Sequence, residues 1–68
     1  MHKITRIFKT EKKEGVNGSY YQITAELDNG EEVVGNATHY DDYKVGEEVE
    51  SYFRDKYDHY EMRKHGWL

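Results

Sequence analysis

The sequence predicts a mostly β protein: a small five-stranded barrel forming a single domain over residues 1–68. Three observations predict it. Residues 20–27 alternate with a period of two, with Tyr21, Ile23, Ala25 and Leu27 on one side and Tyr20, Gln22, Thr24 and Glu26 on the other. Asn29-Gly30 follows at once, the strongest short-range hairpin cue. A second alternation, Val49, Ser51 and Phe53, runs through residues that favour pleated sheet.

The strands are expected at about 3–12, 19–28, 31–39, 47–54 and 58–64. The first is the least regular. Ile4, Ile7 and Phe8 share no single strand face, so a bend or bulge between Ile4 and Phe8 is needed. Gly15 to Ser19 is the first loop.

The register of the next hairpin follows from side-chain parity. A two-residue turn at Asn29-Gly30 sets Val33 opposite Glu26 and mixes the faces. A three-residue loop, Asp28-Asn29-Gly30, sets Val33 opposite Ala25, Gly35 opposite Ile23 and Ala37 opposite Tyr21. Large side chains then meet small ones on one face, whereas a one-residue slip turns the apolar set outward. The second register is the expectation.

The C-terminal part admits two readings. As strands, Val49 and Phe53 point inward, a turn follows at Asp55–Asp58, and Tyr60 and Met62 point inward again. As one helix over Glu47–Lys64, Val49, Tyr52, Phe53, Lys56 and Tyr60 fall three or four apart. Acids crowd its start, and Arg63-Lys64-His65-Gly66 closes it. That alternative gives a three-stranded antiparallel sheet with a C-terminal helix. The strand reading is preferred because Tyr, Phe, Val and Ser dominate the first half. The expected core is Ile4, Phe8, Tyr21, Ile23, Ala25, Leu27, Val33, Ala37, Val49, Phe53, Tyr60 and Met62.

The stretch from Tyr20 to Val49 combines a strand, the Asn29-Gly30 turn, a second strand and the Tyr-containing turn His39-Tyr40-Asp41-Asp42-Tyr43. It closes on Tyr43-Lys44-Val45-Gly46-Glu47-Glu48-Val49, a Tyr-x-Val-Gly-Glu-x-Val pattern. This half of the chain resembles uncharacterised small β-barrel domains of bacterial proteins, of SH3-like or OB-like type. The resemblance implies a barrel; a bacterial or phage source is the expectation. It implies no activity, because such folds host many functions.

Composition bounds the function. A chain of 68 residues buries only about 60% of its unfolded surface. With no Cys, it has neither disulfides nor thiolate metal sites. No apolar run approaches the roughly 18 residues of a membrane span, and no signal-peptide pattern leads the chain. The expected setting is cytoplasmic, with no membrane partner. Ten aromatic residues argue for a folded chain despite 35% charged residues.

The net charge of −4 is segregated. Residues 1–13 carry five basic groups against Glu11, residues 14–53 carry ten acids against Lys44, and residues 54–68 carry four basic groups against three acids. An acidic whole argues against duplex binding but leaves room for a local basic strip.

Catalytic signatures are weak. Glu31-Glu32 and Glu47-Glu48 read as solvated charge rather than as an acid–base pair with opposed environments. Ser19 and Ser51 lack a nucleophile motif, and Gly15-x-x-Gly18 lacks the Lys-Ser/Thr of a phosphate loop. His39, Asp41 and Asp42 read as a polar turn rather than as metal ligands. No cofactor and no metal are expected.

Three functions remain. The first is a non-catalytic module that binds a protein through an acidic, Tyr-rich surface: Tyr40, Asp41, Asp42, Tyr43, Glu47 and Glu48. The second is single-stranded nucleic acid binding through a basic and aromatic strip on the terminal strands: Arg6, Lys9, Tyr52, Arg54, Tyr57, Arg63 and Trp67. The third is a small enzyme, disfavoured by the lack of room for a deep pocket.

Overall fold

The computed structural model describes residues 1–64 of the chain. Five strands form one sheet: β1 (His2–Gly15), β2 (Gly18–Leu27), β3 (Glu32–Ala37), β4 (Glu48–Arg54) and β5 (His59–Lys64). Their hydrogen bonding runs round a closed ring in the order β1-β2-β3-β5-β4. There is no helix among the described residues, so the C-terminal part is the β4–β5 hairpin rather than the helix over 47–64. With no helix, no described segment is a candidate membrane-spanning helix.

The β2–β3 hairpin has the register that parity predicts. Ala25 pairs with Val33, Ile23 with Gly35 and Tyr21 with Ala37. The loop is Asp28-Asn29-Gly30, with Leu27 accepting from the Gly30 N–H at 2.9 Å. Gly30 has φ +86°, which glycine adopts without strain. The Asn29 side chain braces the turn by accepting from the Glu31 N–H at 3.0 Å.

β1 carries two register shifts, between Ile4 and Arg6 and between Ile7 and Lys9. Each leaves one extra residue on β1. The first extra residue is Thr5, whose hydroxyl donates to the Glu26 carbonyl at 3.1 Å. It lets Ile4 and Ile7, three apart, both face the core. The second is Phe8. Displaced from the alternation, its ring is exposed and lies under the Arg6 guanidinium at 4.9 Å. Phe8 is therefore not a core residue, contrary to the sequence expectation.

β1 and β2 run closer to their turn than expected. Gly15 pairs with Gly18, leaving only Val16 and Asn17 in the loop. β3 ends earlier than expected, at Ala37. There the Asp42 carboxylate accepts from the N–H groups of Thr38 and His39 at 3.1 and 3.0 Å, diverting the chain into a turn.

The core consists of Ile4, Ile23, Ala25, Leu27, Val33, Ala37, Tyr43, Val49 and Met62, with Ile7 packed against it. Tyr21 is half-buried and meets Tyr40 edge-on, with centroids 6.3 Å apart. Phe53 and Tyr60 are cross-strand partners, T-shaped at 5.1 Å, yet 45% and 40% exposed. Phe53 keeps the parity of Val49, and Tyr60 that of Met62. They stand at the turn end of the β4–β5 hairpin, Phe53 beyond the stretch of β4 that pairs with β1 (Glu48 and Val49) and Tyr60 one residue before the pair of Val34 with Glu61. They cover one another rather than the core. Alternation assigns a side of the strand but not the height at which the ring stops.

Candidate functional site

The outward residues of β2, β3 and β5 build one surface. Thr24 pairs with Val34, Val34 with Glu61, and Glu61 with Tyr52 of β4, so one row of side chains crosses four strands. The next row holds Gln22 opposite Asn36. A groove of about 200 Å³ lies here, lined by Tyr20, Gln22, Val34, Asn36, Tyr57, His59 and Glu61.

Its floor is organised around Glu61, whose side chain is 16% exposed. Tyr52 donates its hydroxyl to Oε2 at 3.1 Å, and Arg54 donates to the same oxygen at 3.4 Å. His59 Nε2 lies 3.2 Å from Oε1. A carboxylate so flanked is compensated by neighbouring donors rather than left as a bare charge.

The rim is the β4–β5 turn. Arg54 accepts from the Tyr57 N–H at 3.1 Å, and Asp55 from the Asp58 N–H at 3.3 Å. Asp58 has φ 54°, a left-handed conformation that Asp tolerates. The turn places Tyr57 parallel to His59, with centroids 5.7 Å apart and planes at 14°. The Arg54 guanidinium and the Lys56 ammonium each stand 5.5 Å from the Tyr57 ring centre. Tyr20 stands on the other side in sequence terms, paired with Lys13 of β1.

The residues expected for a nucleic-acid strip divide between places. β1 lies between β2 and β4 in the ring, so the first strand does not neighbour the last. Arg6 faces Glu26 across the β1–β2 ladder, and Lys9 is 3.3 Å from Glu11. Tyr52, Arg54 and Tyr57 gather at Glu61 and the β4–β5 turn. Arg63 donates to Glu50 at 2.9 Å and lies over the Tyr52 ring at 5.3 Å. Trp67 lies outside the described residues. Those that come together do so against β3, not against β1.

The acidic surface is reduced by the fold. Tyr43 is 2% exposed and belongs to the core. Burial pushes its phenol up to about 12, with Glu47 adding to the effect. The Asp42 carboxyl is held below the usual carboxylate range, chiefly by the His39 backbone N–H. Glu47 accepts from the Lys44 N–H at 3.2 Å and pairs with Lys64 at 3.5 Å. Glu48 is exposed opposite Lys3. Tyr40 and Asp41 stay exposed, Tyr40 at 68%.

A wider hollow of about 390 Å³ is lined by Met1, His2, Glu50, Ser51, Tyr52 and Arg63. Its guanidinium is already engaged by Glu50. No three His, Asp or Glu side chains among the described residues converge in a way that would hold a metal ion.

Sequence reasoning did not single out Tyr20, Gln22, Asn36, His59 and Glu61 as a site. Their parity on β2 marked Tyr20 and Gln22 as outward. The placement of β5 beside β3 was the missing information. Comparison with protein-family models, curated proteins and solved structures finds no match to this chain.

Proposed function

We propose that this protein is a non-catalytic module that binds single-stranded nucleic acid across β2, β3 and the β4–β5 turn. The observation that carries the reading is the Tyr57 ring, exposed at the groove edge with two cations beside it. Aromatic faces hold unpaired bases by stacking, and adjacent cations meet the backbone phosphates. Here Tyr20 and Tyr57, the latter already stacked with His59, offer aromatic surface, and Lys56 and Arg54, the latter shared with Glu61, offer the charge.

The proposed fold type is OB-like. In its support, β1 pairs with both β2 and β4, and β3 runs parallel to β5. OB folds take oligonucleotides on the face of their second and third strands, between the 1–2 and 4–5 loops. The groove occupies the corresponding face and reaches the β4–β5 turn. That likeness is one of architecture, and the functional argument rests on the side chains.

The test is an amide-resolved NMR titration with short single-stranded DNA and RNA at low and moderate salt. Salt-sensitive shifts are expected at residues 20–24, 34–36 and 54–61. A spectrum that stays still overturns the proposal, as do shifts confined to another face. A protein partner is the second reading, favoured by the exposed ring of Tyr40 beside Asp41.

A further inference from the structure

The groove holds two amides that the fold itself does not use. Gln22 of β2 and Asn36 of β3 are direct cross-strand partners, and both line the groove. Neither side chain has a hydrogen-bond partner among the described residues, while Tyr52, Arg54, His59 and Glu61 are bonded to one another. A carboxamide presents an acceptor and two donors side by side. Two adjacent ones form a surface suited to a ligand edge that alternates donor and acceptor.

Glu61 contributes a different property. Its carboxylate has about four acceptor positions, and three donors approach it: Tyr52, Arg54 and His59. The remaining position accepts a hydrogen and repels a carbonyl oxygen. The groove volume of about 200 Å³ is below the roughly 300–1,000 Å³ of drug-sized sites and suits a single planar ring system.

We infer that this groove reads one unpaired base, and that it prefers a base with an exocyclic amino group beside a ring acceptor. Adenine ranks first and cytosine second, ahead of thymine and uracil. The inference rests on the nucleic-acid reading above. Asn and Gln pair bidentately with the amino group and ring nitrogen of adenine, and a carboxylate accepts from the amino group of cytosine. Thymine and uracil place a carbonyl oxygen where that amino group would stand, against Glu61. Guanine does the same with its O6. Adenine precedes cytosine because its larger ring offers more area to Tyr20 and Tyr57.

The experiment is fluorescence anisotropy with labelled oligo-dA, oligo-dC and oligo-dT of equal length at one low salt concentration. Oligo-dA should bind most tightly and oligo-dT most weakly, with a separation of about fivefold or more. The double variant Gln22→Thr, Asn36→Thr should bind all three with closer affinities, its fold checked by the amide spectrum. Equal binding of the three oligomers by the wild-type protein overturns the base preference and leaves the binding module standing. An oligo-dA margin undiminished in the folded double variant overturns the role of the two amides. Absence of binding to every oligomer removes both the module and the base preference.

Discussion

Tyr43 packs against Gly35 so closely that a β-carbon on Gly35 would stand 3.2 Å from Tyr43 Cε2 and 2.9 Å from Met62 Cγ. The absent side chain at Gly35 is what admits both the Tyr43 ring and the Met62 thioether to the space beneath β3. Gly35 also sits opposite Ile23, so the strand is smallest where its neighbours crowd most.

Gly35→Ala should therefore destabilise the fold by about 1–3 kcal/mol through overpacking. For a domain of this size that is a large share of the total stability, which is roughly 0.05–0.15 kcal/mol per residue. Urea melts of the two proteins check it. An unchanged midpoint would mean that Met62 and Tyr43 move aside freely.

Tyr43 should titrate apart from the other tyrosines. Its phenol is raised to about 12 by burial, so the folded state holds this proton more tightly than the unfolded chain. The stability it contributes is fully present below the ordinary tyrosine value near 10. It is lost as pH climbs from there towards 12. Thermal melts across that window should show a fall that is smaller in Tyr43→Phe, and ultraviolet titration should show one late phenol. A wild-type curve that Tyr43→Phe reproduces would remove Tyr43 as the cause.

Asp42 should act at the acid end. The N–H groups of His39 and Thr38 hold its carboxyl below the ordinary value of 3.8. A lowered folded pKa means that the stabilisation is present above the unfolded value and disappears as pH falls through the folded one. Asp42→Ala should thus melt below wild type at pH 7, with the gap narrowing as the pH drops beneath about 4. A gap independent of pH would point to the turn backbone rather than the carboxylate.

Binding should separate the two surfaces. Tyr57→Ala should weaken oligonucleotide affinity about tenfold, the scale of one stacked base. Arg54→Gln combined with Lys56→Gln should weaken it further at low salt and flatten its salt dependence. Tyr40→Ser and Asp41→Asn should leave it unchanged, since neither residue lines the groove. The reverse pattern would transfer the site to the turn that follows β3.

Some of this molecule is written locally. The β2–β3 register follows from alternation at Tyr21, Ile23, Ala25 and Leu27 together with the turn chemistry of Asp28-Asn29-Gly30, because parity and a short loop act between near neighbours. The bulged first strand was legible as a conflict between Ile4, Ile7 and Phe8, though not which residue would be displaced. Tertiary structure decided the rest. Ring closure brings Val34 beside Glu61, 27 positions along the chain, and so creates the groove that no local pattern describes. It buries Tyr43, which the sequence placed in an exposed turn, because Gly35 leaves it space. It also leaves Phe53 and Tyr60 exposed, because inward parity buries a side chain only where the other strands are there to cover it.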